Sequence, residues 1–379
     1  MLTIDNIKIN PKPDFGRLLK AIKRNAKPDR IPVFELHANT VEKIAGHLIN
    51  KSECKDELEY NLKLEAVFQY KLGYDYINVR ADYTKIRPGM KGGDSLGGSF
   101  VTSESNYVFK RASMHEGKTS EGKRAYLQGS DCAIANWEEY EKYPWPDMSR
   151  VDYSPIEKAK KLMPEGMKII PMPAGGLLAN VMQIIGYERL SYMSIEDPKL
   201  LKTIFNSVGE RLVKLFEGFG SIDAVGAQIV NGDMGFKTAT LVSPDMLREY
   251  VFPWHKKLVE VCHKHGQAAI LHACGNVNAV YEDIIACGWD AKHSFEDIIM
   301  PVQEFKQKYG KRITPLGGFD MDLISRSAPE EIRKHTRFLI DNCGKDGFYA
   351  VGTGNSVADY IPTENFLTMA EETFNYGEY

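Results

Sequence analysis

Histidine and cysteine stand two positions apart at the end of an apolar run, ILHACGNV, as His272 and Cys274. Alternate side chains of an extended strand share one face, which sets these two Cα atoms roughly 6.6 Å apart at about 3.3 Å per residue. An imidazole nitrogen and a thiolate can close on one ion across that gap. Zinc takes such ligands at about 2.0–2.3 Å and, when catalytic, keeps three protein ligands and an open position. The thiolate supplies charge, the imidazole a neutral nitrogen, and Gly275 lets the chain turn tightly after them. The same two residues also read as a hydrogen-bonded histidine and a buried thiol closing a core strand.

Other apolar runs finish the same way. Glu35 and His37, Arg80 and Asp82, Asn231 and Asp233, His293, Asp320 and Asp322, and Thr353, Asn355 and Ser356 all follow predicted strands. Packing alone does not explain so many polar endings, because each buried polar group costs free energy unless paired. Asp233, in NGDMGFKT, reads as a general acid or base, a metal ligand or ordinary turn chemistry. His37 and His293 read as pocket-lining or rim residues. VGTGNSV, around Asn355 and Ser356, resembles a backbone-amide anion site without the lysine of a Walker loop. His255, His263 and His265 fall on a charged helix face and are expected to be solvated.

The elements that must position these groups alternate between strand and helix. Eight strands are predicted at 31–36, 74–80, 168–173, 223–230, 268–273, 289–294, 313–318 and 348–352, with helices such as 198–220 and 243–266 between them. Pro253 is expected to kink or split the second of these helices. Eight βα units predict an α/β fold, a single (β/α)8 TIM barrel over 1–379, with a doubly wound open sheet as the alternative. Residues 85–150 break the alternation with glycines, short two-period runs and YPWPDMSRVDYSP, which predicts an inserted β-ribbon and loop after strand 2, as a cover for the site or a rim hairpin. In a barrel the groups at the carboxyl ends of the strands form the site.

The chain of 379 residues is 43% hydrophobic and 26% charged, with a formal net charge of −3, so it can bury a full core and offers no broad basic field for nucleic acid. The start, MLTIDNIKINPKPDFG, has no basic-then-apolar signal pattern, and no run approaches the roughly 20 apolar residues of a membrane span. A cytoplasmic protein that contacts neither membrane nor nucleic acid is expected, with a homodimer as the candidate assembly. Six cysteines without a CxxC pair predict reduced thiols, with Cys262, Cys287 and Cys343 as small buried hydrophobes.

From about residue 223 onward the chain resembles the uroporphyrinogen decarboxylase superfamily, in the branch related to corrinoid-dependent methyltransferases. The stretches that carry the resemblance are NGDMGFKTATLVSPDMLREYVFPWHKKL, ILHACGNV, WDAKHSFED, LGGFD and VGTGNSVADYIPTEN. The fold it implies is the (β/α)8 barrel. Decarboxylases of the family carry an arginine-rich motif near the first strand, where this chain has FELHANT, so tetrapyrrole decarboxylation is not expected. The methyltransferase members hold zinc with a His-x-Cys pair and a cysteine after the last strand. The pair matches His272 and Cys274, whereas the later loop reads GTGNSV and has no cysteine.

The resemblance therefore implies zinc on His272 and Cys274, with a third ligand from another strand end: Glu35 is the expectation, and His37, Asp233 and His293 are the other candidates. Asp233 would orient substrate or handle a proton, with His37 and His293 lining the pocket, and Arg80, Asn355 and Ser356 are expected to bind a cofactor. The implied reaction is methyl transfer between a small methylated substrate, or a thiol or folate acceptor, and a corrinoid (cobalamin) carried by a partner protein. The rival readings are a metal-independent lyase using Arg80 and strand-end carboxylates, and a barrel that binds a corrinoid, tetrapyrrole or metabolite without turnover.

Overall fold

The computed structural model describes residues 1–83, 86, 132–172 and 175–379, together with the backbone of 114–119 and 122–127. The remainder of the expected 85–150 insertion lies outside these residues. Within it, β2 (Met114–Thr119) and β3 (Gly122–Leu127) pair antiparallel, from Met114 opposite Leu127 to Thr119 opposite Gly122.

The fold is α/β with parallel sheets. β1 (Tyr76–Val79) pairs in parallel with β4 (Lys168–Pro171), and β5 (Ala227–Asn231), β6 (Ala268–His272), β7 (Ala291–His293) and β8 (Thr314–Pro315) form a second parallel sheet in that order. Their residues are buried almost without a break, AAILH of β6 throughout, as expected for parallel strands covered on both faces. Burial of each such Ile or Leu side chain is worth about 1.5–3 kcal/mol. Backbone links join the pieces. Ile169 of β4 bridges Val225 ahead of β5, Leu316 after β8 bridges Ala350, and Val351 bridges Val33.

The first and last predicted strands, 31–36 and 348–352, are reduced to these single bridges. Pro32 has no amide to donate, and its carbonyl instead accepts from the Val351 amide at 3.0 Å. Between 31–36 and β1 the link is a side chain: the fully buried Tyr76 hydroxyl lies 2.8 Å from the Glu35 amide and 2.7 Å from the Glu35 carbonyl.

Helices pack outside the strands. The helix Pro198–Gly220 begins where Asp197 accepts from the Leu200 amide and a proline fills the first helical position, and it buries Leu201, Ile204, Phe205, Val208 and Leu212 along one stripe. The segment predicted at 243–266 is split: Ser243 caps Pro244–Met246, a wide π turn spans Leu247–Val251, and Phe252–Lys264 continues as an α-helix with Pro253 in its first turn. His255 is fully buried against the ring of Trp289 instead of solvated, on the stripe that Leu258, Val259 and Cys262 bury at ordinary helical spacing. All six cysteines are free thiols, and Cys262, Cys287 and Cys343 are buried. Among the described residues no helix is long and apolar enough to cross a membrane.

Candidate functional site

The site begins with the register of β5 on β6. Asn231 is paired with His272, so two residues further along both chains Asp233 comes level with Cys274. The Gly232 amide donates to the His272 carbonyl at 2.7 Å and extends the pairing past the end of the strand. Two glycines then let the loops close on each other. A Cβ on Gly275 (φ +74°) would stand 2.4 Å from Gly235 backbone, and one on Gly235 would stand 2.5 Å from the Asn276 amide nitrogen. The Asn276 amide donates to the Phe236 carbonyl at 2.6 Å across this contact.

Three donor groups meet there. One ligand atom each from Asp233, His272 and Cys274 lie within 4.8 Å of one another. Asp233 Oδ1 accepts from the Cys274 amide at 3.1 Å and stands 3.4 Å from His272 Nε2. The His272 side chain is 4% exposed and that of Asp233 34%, so the cluster has a closed side and an open one. Burial pushes His272 down to about 3, with Lys292 adding to the effect. Burial, reinforced by Asp233, pushes the Cys274 thiol up.

β7 supplies the next layer. His293 is opposite His272 in the β6–β7 register, and their Nδ1 atoms are 2.8 Å apart. His293 Nε2 lies 3.2 Å from the Thr353 carbonyl, and burial holds the ring well below the ordinary histidine range. Lys292 points the other way into the helix layer. Its Nζ donates to the carbonyls of Ser294 at 2.5 Å and Ala273 at 3.3 Å, beneath the ring of Phe295, and burial brings it down to about 7. Glu296 Oε1 takes the Gly275 amide at 3.1 Å.

The predicted residues divide between this cluster and its surroundings. Asp233, His272 and Cys274 are together, with His293 directly behind His272. Glu35 is not brought to them. It is buried, its Oε1 accepts from the Thr353 amide at 2.7 Å, its Oε2 lies 2.5 Å from the Thr353 hydroxyl, and burial raises it to about 8. His37 is pushed down to about 3 by burial, opposed by a hydrogen bond with Asn39 and aided by Arg80, so these groups are neighbours on the β1 side. Burial also lowers the Arg80 guanidinium. In the VGTGNSV loop the amides of Thr353, Gly354 and Ser356 donate to Glu35, the Phe319 carbonyl and Asn355 Oδ1. These three amides are therefore already engaged within the protein.

Sequence reasoning did not single out Lys292 or Glu296. A lysine inside the otherwise apolar WDAKHS run was the available signal for the first, and FED directly after that strand for the second.

The metal expectation fits this donor set. Nitrogen, sulfur and oxygen donors converge from two adjacent strand ends, and the carboxylate side is open, which is the composition zinc accepts with one position free.

The family model Uroporphyrinogen decarboxylase (URO-D) matches residues 133–376, and the chain belongs to that family. It is 26% identical over 244 residues to the methylated-thiol–coenzyme M methyltransferase of Methanosarcina mazei, a match covering 62% of each protein. It is 24% identical over 137 residues to the methylcobamide:CoM methyltransferase MtaA of Methanosarcina barkeri, covering 36% of this chain and 38% of that one. Both matches span less than two thirds of those relatives' own length. The fold is shared with a methyltransferase from Methanosarcina mazei at a TM-score of 0.65 and 14% identity, over 95% of this chain and 98% of that structure.

Proposed function

We propose that this protein is a methyltransferase of the uroporphyrinogen decarboxylase-like superfamily, moving a methyl group between a small thiol or methylated thiol and a corrinoid carried by a partner protein. The observation that carries the reading is the convergence of Asp233, His272 and Cys274 at the ends of two neighbouring strands. The two methyltransferase relatives, whose names include a methylated thiol, a cobamide and coenzyme M, support the substrate class.

Asp233, His272 and Cys274 would hold zinc, with Asp233 in the place expected for Glu35. Bound zinc supplies a Lewis acid that lowers the pKa of a thiol at the open position, favouring the thiolate that exchanges a methyl group. The protein's part is positional. His272 forms the closed wall, the Asp233 carboxylate is fixed by the Cys274 amide, and Glu296 anchors the loop at Gly275. Arg80 and the Asn355 and Ser356 side chains would meet the anionic parts of the incoming substrate or corrinoid.

The order of strand links, from 31–36 through β1, β4, β5, β6, β7 and β8 to 348–352 and back to Val33, is read as a closed (β/α)8 barrel. The segment containing β2 and β3 is read as its inserted ribbon, and the protein as a single cytoplasmic domain.

The test is transfer from free methylcobalamin to a panel of small thiols with the zinc-loaded protein. Thiol-dependent loss of the methyl group, reduced at least about 100-fold in Asp233→Ala and Cys274→Ala, is expected for loss of metal-assisted activation. No transfer to any thiol by zinc-loaded protein contradicts the reading.

A further inference from the structure

We propose that His293 is a positioning residue that fixes the tautomer of His272, so that His272 presents a bare Nε2 to the Asp233–Cys274 side of the site. The inference deepens the metal-site reading above and rests on it for its purpose, though the tautomer itself is a property of the protein alone.

The chain of reasoning starts at a backbone carbonyl. His293 Nε2 lies 3.2 Å from the Thr353 carbonyl oxygen, which only accepts, so Nε2 carries the hydrogen. His293 is fully buried, with the Phe34 ring on one side and His272 on the other, and a neutral imidazole has a single N–H. Its Nδ1 is therefore bare. That nitrogen faces His272 Nδ1 at 2.8 Å, so the hydrogen between the two rings belongs to His272. His272 is buried and neutral as well, and its own Nε2 is left as a lone pair.

The consequence appears at the other end of the ring. His272 Nε2 stands 3.4 Å from Asp233 Oδ1, an oxygen already accepting from the Cys274 amide. Two lone pairs then face each other beside a thiol, an arrangement that a cation relieves and that a His272 Nε2–H would instead satisfy by itself. The opposite tautomer would cap the site with a hydrogen bond, while this one leaves it ready for a Lewis acid.

The anchor of the relay is held from outside the site. The Thr353 carbonyl also accepts from the Gly318 amide at 3.2 Å, and the Thr353 amide is clamped by Glu35 at 2.7 Å. The orientation of the ligand histidine is thus set from the last strand segment, through His293.

Long-range 1H–15N correlation spectra of metal-free, 15N-histidine-labelled full-length protein test the tautomer directly. The expected pattern is a pyrrole-type Nδ1 and pyridine-type Nε2 for His272, with the reverse for His293; a pyrrole-type His272 Nε2 or a doubly protonated His293 overturns the proposal. Zinc affinity measured by competition with a chelator tests the purpose. His293→Phe, which offers no acceptor, is expected to bind zinc on the order of 10–100-fold more weakly, and His293→Gln, whose carbonyl can take the His272 Nδ1–H, to recover much of that loss. Unchanged affinity in His293→Phe overturns the positioning role. Failure of the wild-type protein to bind zinc would instead count against the metal-site reading, and the spectra would still decide the tautomer.

Discussion

Asp233 and Cys274 are level with each other across the β5–β6 pair, and the carboxylate of the first accepts from the backbone amide of the second at 3.1 Å. This one hydrogen bond ties the loop after β5 to the loop after β6. It also turns a His-x-Cys pair into a three-donor cluster, because Asp233 Oδ1 is held 3.4 Å from His272 Nε2.

Glu35 has the environment of a carboxylic acid that braces Thr353. The Thr353 hydroxyl has one hydrogen yet lies within hydrogen-bonding distance of both Glu35 Oε2 and the Asn355 carbonyl, so the carboxyl must supply the second. Glu35→Gln can reproduce both bonds to Thr353 and, below about pH 4.5, where Glu35 is protonated folded and unfolded alike, should change stability by no more than about 1 kcal/mol, and it should retain metal. Glu35→Ala strands a buried amide and hydroxyl beside a cavity and should cost roughly 2–5 kcal/mol. Denaturant midpoints and metal content of the two variants check this; loss of metal in Glu35→Gln would restore Glu35 as a ligand.

The same group gives a pH signature. Burial raises Glu35 from its ordinary 4.5 to about 8, so the folded protein holds this proton more tightly than the unfolded chain does. Its contribution is fully present below about 4.5 and is lost as pH rises through about 8. Wild-type protein should therefore lose stability relative to Glu35→Gln between pH 5 and pH 9, read as a changing difference in Tm. A difference that stays constant over that range would mean that Glu35 titrates alike in both states.

Gly275 and Gly235 meet where a side chain has no room, and Gly275 adopts φ +74°. Gly275→Ala combines left-handed strain with a clash against Gly235 backbone and should destabilise by roughly 2–4 kcal/mol. Because the same contact holds Asp233 level with Cys274, the variant should also lose metal at temperatures where it remains folded. Urea titration and metal analysis separate the two effects, and full metal occupancy in Gly275→Ala would show that the loops need not be in contact to form the cluster.

His255 should govern acid sensitivity without touching the metal. Burial pushes it from 6.5 down to about 3, so its contribution is fully present above about 6.5 and is lost as pH falls toward about 3. His255→Phe removes a group that must charge on unfolding, and the variant should gain on wild type in urea midpoint as pH drops from 7 to 4. Its metal content should equal that of wild type; a large loss would place His255 nearer the site's workings than its packing against Trp289 indicates.

Which residues could take part was legible in the sequence more readily than which of them meet. Apolar runs located β1 and β4 through β8, because parallel strands buried on both faces leave continuous apolar stretches. The polar endings marked Asp233, His272, Cys274 and His293. The third member of the cluster was not legible, since Glu35 and Asp233 are equivalent as strand endings and only the pairing of Asn231 with His272 decides between them. The ring contact between His272 and His293 has the same origin, a register between strands that periodicity along one strand does not encode. His255 was misplaced because its charged neighbours Lys256, Lys257 and His263 guided the reading of that face, whereas its three- and four-residue spacing from Leu258 and Val259 puts it on the buried stripe.

Metal content of the purified protein, measured by elemental analysis for wild type, Asp233→Ala, Cys274→Ala and Glu35→Gln after zinc is supplied, tests the site most directly. The prediction is about one zinc per chain in wild type and Glu35→Gln and little in the Asp233 and Cys274 variants, as a site of three protein ligands requires. Wild-type protein without zinc, or full zinc retained in Asp233→Ala, would contradict the assignment.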